Sequence, residues 1–340
     1  MEWILTRPAG PPPPSGGIDL VGAGATFPYP LYRQWFADYG AETGVRINYF
    51  SVGSGEGIRL LLEGGADFGA TDRPLRAEEI ARATCGPVVV PMVVGTVAVA
   101  YNIPGFTGDL QMDEAVLAGI YLGRITRWDD PALRALNPRA QLPPLAIRVV
   151  HRVHTSGTSE IFASYLATDA DWRGAQSPVG IRWPVGSGAE GNEGVASEVR
   201  ATIGAIGFLE LSYARLSRLP VASLRNVAGA FVRPDSTSVA TAAAELLTAS
   251  TVDTITAGVG ARARGAYPIV GVTRIVADRV LGDSIRGAHL IAFTRWALDE
   301  GARSASKLGF APLPLDVVRQ QQQRLDALRP GTCPRPTATP

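Results

Sequence analysis

Three stretches of this chain set small hydroxyl residues beside glycine, each just ahead of a helical pattern: Val21–Pro28 (VGAGATFP), Ser51–Ile58 (SVGSGEGI) and His151–Ser159 (HRVHTSGTS). A glycine-rich turn lets backbone come close to a ligand, and the free N–H groups of a helix start suit an anion. Three such cradles far apart in sequence predict one oxyanion held between converging helix starts. The candidate donors are Thr26 and the Phe27 amide, Ser54, and the run Ser156, Gly157 and Thr158.

Other chemistries fit these residues less well. Gly22-x-Gly24 after a strand could open a dinucleotide site, but Phe27 stands where the third glycine belongs. A nucleophile elbow needs Gly-x-Ser-x-Gly, and the frame around Ser54 is Gly53-Ser54-Gly55. A hydrolase or phosphatase using Ser54 or Ser156 would also need a His and Asp set, which is not at hand. His151 and His154 have a His-x-x-His spacing, yet His289 is remote and no carboxylate or cysteine completes a metal site. No metal and no cofactor is expected.

Positioning these residues requires alternating strands and helices. A strand near Ile18, a helix from Leu31, strands at Arg46 to Phe50 and at Phe68, and a helix from Gly57 to Leu62 predict a mostly parallel α/β sheet with helices on both faces. Val88 to Tyr101 is apolar and β-branched but interrupted by Pro91 and Gly95, longer than one strand usually runs, and so reads as a crossing between domains. Further helices are expected at Asp113 to Leu122, Asp129 to Leu136, Ser156 to Leu166, Val195 to Val199, Ser236 to Leu247 and Ile285 to Glu300, with strands at Ile147 to Val150 and Ala205 to Leu209. Tyr267 to Val276 reads as a second crossing, which makes one domain discontinuous.

These runs resemble the periplasmic phosphate-binding proteins, the substrate-binding components of phosphate ABC importers. The resemblance rests on Gly22–Pro28, Gly53–Gly57, Asp67-Phe68-Gly69-Ala70-Thr71-Asp72, Ile120–Gly123 with Trp128-Asp129-Asp130, Ser156-Gly157-Thr158, Gly191-Asn192-Glu193-Gly194-Val195, Gly204–Phe208 and Tyr267–Val270. They fall in the family's order and span roughly residues 18 to 328. The resemblance implies a two-lobed fold with mixed sheets and a strand hinge that closes over ligand. The implied boundaries are a Pro-rich leader over 1–17, lobe 1 over 18–94 plus 268–328, lobe 2 over 95–267, and a flexible tail over 329–340.

The same resemblance implies inorganic phosphate as ligand, ABC transporter membrane subunits as partners, and no catalysis. Asp72 would accept a hydrogen bond from a phosphate that still carries a proton and repel fully deprotonated sulfate. Read alone, it is as well a turn residue ahead of Arg73-Pro74. Arg152 would supply the one full positive charge. The family usually has Asp where this chain has His154, so His154 and Asn192 are expected just behind the ligand contacts, with His154 in the orienting place beside Arg152. A binding protein for another tetrahedral oxyanion is the alternative within the same fold.

Composition agrees with a two-domain globular chain. It has 340 residues, 46% of them hydrophobic, and no uninterrupted apolar stretch of the ~18 residues a membrane span needs. A net charge of +1 with scattered arginines gives no footprint for nucleic acid, and a monomer is expected. Met1–Arg7 has neither a basic n-region nor an apolar h-region, so no intact secretory signal stands here, although the family is exported to the cell envelope. Cys85 and Cys333 could pair in an oxidising compartment and tether the tail, or be unrelated thiols.

Overall fold

A computed structural model describes residues 19–330 except 84, 176–180, 248–252 and 254–256. The expected leader, the end of the tail and Cys333 lie outside the described residues. In chain order the elements are β1 (Asp19–Gly24), α1 (Tyr29–Thr43), β2 (Arg46–Ser51), α2 (Ser54–Leu62), β3 (Phe68–Thr71), α3 (Ala77–Arg82), β4 (Pro87–Tyr101), β5 (Gln111–Met112), α4 (Glu114–Tyr121), α5 (Pro131–Leu136), β6 (Arg148–Arg152) and α6 (Gly157–Leu166). There follow α7 (Ala170–Ala175), β7 (Ser187–Ala189), α8 (Gly191–Ala201), β8 (Ala205–Glu210), α9 (Leu211–Leu216), β9 (Ser223–Arg225), β10 (Phe231–Val232), α10 (Ser236–Leu246), β11 (Ala257–Gly258), β12 (Val270–Asp278) and α11 (Ser284–Asp299).

Two groups of parallel strands flank an antiparallel centre. β2, β1 and β3 run parallel, and β12 lies antiparallel beside β3. β4 then pairs with β12 over Pro87 to Thr96 and with β8 over Val97 to Tyr101, antiparallel in both cases. On the far side β8, β6 and β7 are parallel. One strand is therefore shared by two lobes, and the fold is a mixed two-lobed α/β architecture.

The apolar run expected to break at Pro91 and Gly95 is a single strand of 15 residues. The register with β12 shifts between Thr273 and Arg274, which face Val93 and Pro91 and skip Met92. A bulge at that point accommodates a proline that has no N–H to give the ladder. Gly95 leaves room for a ring, since a Cβ there would lie 2.2 Å from Phe27 Cε1. Phe27 is fully buried, its ring edge-on to Phe310 at 6.2 Å, so the side chain anchors the first cradle while its backbone stays at the site.

Alternation along the strands explains helices on both faces. Val97, Val99, Ile206 and Phe208 share one core with Ile161, Phe162 and Tyr165 of α6. Ala98, Ala100, Ala205 and Leu209 pack on the opposite face with Val195, Ala196 and Val199 of α8. In the first lobe Val276 faces Ile58 and Leu61 of α2, while Ile275 and Ala277 turn to the main core. Caps fix the helix starts: Asp113 accepts from Val116 N at 2.9 Å, Asp130 from Ala132 N at 2.9 Å and Ser156 from Ser159 N at 3.3 Å, contacts worth about 1 kcal/mol each.

Of the expected flexible tail only Arg329 and Pro330 lie within the described residues. Arg329–Pro330 pairs in parallel with Val280–Leu281. Cys85 is disulfide-bonded.

Candidate functional site

The candidate residues lie at or just past the carboxyl ends of parallel strands. Thr26 comes after β1, Ser54 after β2 and Asp72 after β3, while Arg152 ends β6 and Asn192 follows β7. Open α/β sheets place ligand sites along this edge. Here the edges of the two lobes face each other, so both supply groups to one cleft.

The first lobe contributes a compact hydrogen-bonded unit. Ser54 Oγ donates to Asp72 Oδ2 at 3.3 Å and accepts from Asp72 N at 3.3 Å. Asp72 Oδ1 accepts from Thr273 Oγ1 of β12 at 3.0 Å. Backbone contact at this edge is very close: a Cβ on Gly24, whose φ is +144°, would lie 2.1 Å from Ala70 O. Only glycine fits there.

The second lobe closes on that unit directly. A Cβ on Gly157 would lie 2.6 Å from Asp72 Cβ and 2.8 Å from both Asp72 Oδ2 and Ser54 Oγ. Arg152 Nη1 donates to Thr26 Oγ1 at 3.4 Å, and Asn192 Nδ2 donates to the same oxygen at 2.7 Å and to Thr158 Oγ1 at 3.3 Å. Asn192 is itself held by Glu210 N, which donates to its Oδ1 at 2.9 Å. With its lone pairs engaged, the Thr26 hydroxyl keeps its proton for another acceptor. Thr26, Ser54, Asp72, Arg152, Ser156, Thr158 and Asn192 are all buried.

Electrostatics in the cluster are those of desolvated charge. Burial pushes the Asp72 carboxyl up to about 7, against the pull of Thr273, Arg152, Ser54 and Arg274. Arg152 is drawn down by burial, opposed first by Glu193 and then by Asp72. Its Nε is buried and has no hydrogen-bond partner among the described residues. These groups present donors, one guanidinium and one carboxyl of near-neutral pKa, a set suited to an oxyanion that can carry a proton.

The structure changes two expectations. His154 does not orient Arg152: the chain turns outward once β6 ends, leaving the His154 side chain 69% exposed and its Nε2 3.8 Å from Glu190 Oε1. Glu193, in the Gly-Asn-Glu-Gly run, is the carboxylate whose field acts most on Arg152. Arg152 is also not the sole buried cation acting on Asp72, because Arg274 of β12 is fully buried and pulled down to about 10 by burial, with Asp72 opposing the shift.

Thr273 and Tyr213 were invisible as site residues. Tyr213 Oη donates to Thr26 O at 2.6 Å and so fixes the first cradle from the second lobe. Thr273 lies three residues past the recognisable Tyr267–Val270 run, and strand alternation puts it opposite its apolar neighbours. His151 stacks on Trp183 at 5.7 Å, and no metal-binding group of His, Cys, Asp and Glu occurs among the described residues.

Comparison with known proteins gives concordant matches. A model of the PBP superfamily domain matches residues 10–300. The chain is 36% identical to a phosphate-binding protein PstS of Xylella fastidiosa, covering 91% of this chain and 86% of that protein. It is likewise 36% identical to a PstS of Haemophilus influenzae, covering 88% and 90%. The fold is similar to a high affinity periplasmic phosphate-binding protein solved with phosphate, at TM-score 0.70, 23% identity and coverage of 90% and 93%. It is also similar to a substrate-binding protein of Clostridium perfringens, at TM-score 0.61, 18% identity and coverage of 87% and 100%.

Proposed function

Because the chain belongs to the PBP superfamily and, within it, to the phosphate-binding proteins, we propose that it holds inorganic phosphate between its lobes and delivers it to the membrane subunits of an ABC importer. The observation that carries this reading is the buried contact of Gly157 with Asp72 and Ser54, beside Arg152 and Thr26. It supports a reading in which helix-start donors, a cation and a carboxyl surround one anion.

In this reading Thr26, the Phe27 amide, Ser54, Ser156, Gly157 and Thr158 donate to the phosphate oxygens. Arg152 neutralises charge through a fork matched to an oxyanion, and Asp72 accepts a hydrogen bond from the protonated oxygen of the ligand. Asn192 holds Thr26 and Thr158 in place. The working division is lobe 1 over residues 18–94 plus 268–328 and lobe 2 over 95–267. The protein performs no chemistry and acts as a monomer outside the cytoplasm. No helix among the described residues is long and apolar enough to cross a membrane.

Isothermal titration of the purified chain with phosphate, sulfate and a chromogenic phosphate ester tests the proposal. Phosphate should bind one to one and more tightly than sulfate, with no colour released from the ester. Equal or tighter sulfate binding would reassign the ligand to another oxyanion, and steady turnover of the ester would make the protein a hydrolase.

A further inference from the structure

A second polar contact joins the lobes outside the cradle. Arg73 follows Asp72 directly and is buried in the first lobe. Its guanidinium grips Glu79 of α3 in bidentate fashion, Nη1 to Oε2 at 2.8 Å and Nη2 to Oε1 at 2.6 Å. Glu79 also accepts from Arg76 N at 2.8 Å, so Arg73 is held by its own lobe whatever the other lobe does. The remaining edge of the fork, Nε, lies 3.3 Å from Glu160 Oε1 across the cleft, close enough for an ion pair though not aligned for a hydrogen bond. Arg76 Nη2 reaches the same oxygen at 3.2 Å.

Glu160 lies in the first turn of α6, two residues past Thr158. Its carboxylate therefore ties the turn that carries Ser156, Gly157 and Thr158 to the loop that carries Asp72. Its side chain is 26% exposed against 2% for Arg73, which puts the pair at the margin of the cleft. Opening the lobes would return Glu160 to water while Arg73 kept Glu79. The contact thus counts only in the closed form, and it does so without touching the site of the anion.

We propose that Glu160 is a positioning residue, a latch that holds α6 against the Asp72 loop through Arg73 and Arg76 and sets how long the bound anion stays. The inference rests on the reading of the cleft as a phosphate site. A latch present only after closure changes release and leaves capture alone, since mutational effects on related complexes fall mostly in the off-rate.

Stopped-flow measurement of inorganic phosphate binding and release by the full chain tests it. Glu160→Gln should raise the release rate about tenfold, as expected for loss of a half-buried charged pair. The capture rate and the phosphate-to-sulfate preference should hold. Arg76→Gln removes only the exposed partner and should give a smaller rise of the same kind. At about 1 M salt the wild-type release rate should approach that of Glu160→Gln, because screening weakens the contact.

An unchanged release rate in Glu160→Gln, or equal changes in capture and release with a lowered melting temperature of the ligand-free chain, would overturn the latch. A wild-type chain that does not bind phosphate would overturn the underlying reading instead. In that case the latch falls with the reading it rests on, whereas tight phosphate binding with an unchanged release rate in Glu160→Gln removes the latch alone.

Discussion

Asp72→Asn probes how the cleft tells phosphate from sulfate, and the effect should depend on pH. In the closed cleft Asp72 is 1% exposed and its carboxyl titrates at about 7, burial being the main cause. Phosphate can bring the proton that such a carboxyl shares, whereas sulfate brings none. To admit sulfate, Asp72 must either face it ionised, at a cost of several kcal/mol, or first take up a proton. The second route is the cheaper, and at about pH 8.5 it costs about 2 kcal/mol, or roughly 30-fold in affinity. Below about pH 7 Asp72 is already protonated and that cost vanishes. The amide needs no proton and keeps an oxygen that can accept from phosphate. Sulfate affinity should therefore rise about 30-fold in Asp72→Asn at about pH 8.5 and little at about pH 6, while wild-type selectivity should itself weaken as pH falls. Competition titrations at both pH values read the ratio of the two affinities. An unchanged ratio at the higher pH, or the same narrowing at both, would refute the mechanism and return Asp72 to a structural turn residue.

Three other outcomes follow from the geometry. Arg152→Ala should weaken phosphate binding at least about 100-fold by calorimetry, since removing a buried charged partner costs about 2–5 kcal/mol. Gly157→Ala puts a methyl group 2.6 Å from Asp72 Cβ and should wedge the lobes apart, lowering phosphate affinity about 10- to 100-fold while the ligand-free melting temperature barely moves. Glu210 is fully buried and its carboxyl is raised to about 8 by burial. A raised folded pKa gives stability that is present below the ordinary glutamate value and lost as pH rises through the folded one. Wild type should therefore lose stability relative to Glu210→Gln between about pH 5 and about pH 8 in urea unfolding curves, by an amount on the order of a few kcal/mol.

The cradles were legible because their chemistry is local. A strand end, a glycine turn and a hydroxyl at a helix start are written in a few consecutive residues, as at Gly24-Ala25-Thr26 and Ser156-Gly157-Thr158. The helices expected at Asp113 to Leu122, Asp129 to Leu136 and Ile285 to Glu300 could be read for the same reason. What escaped is what depends on neighbours distant in sequence. Thr273 touches Asp72 across 201 positions, and Tyr213 reaches Thr26 across 187. His154 was misplaced because the expectation transferred a family role by position, whereas the chain turns outward immediately after Arg152. Pro91 was expected to interrupt the run, and only the bulge at Met92, within β4 itself, explains why the strand continues.

The undivided β4 limits how this protein can change over generations. Val97 and Val99 face the core of α6, and the small Ala98 and Ala100 face α8. Adding or deleting one residue upstream of Val97 would exchange these sets, driving valines into the space sized for alanines and opening voids behind the Phe162 and Phe208 stack. Surface loops in the same chain can drift in length, but the joint can vary only by point substitution. Descendants of this sequence should keep β4 at constant length even where both lobes have been extensively rebuilt.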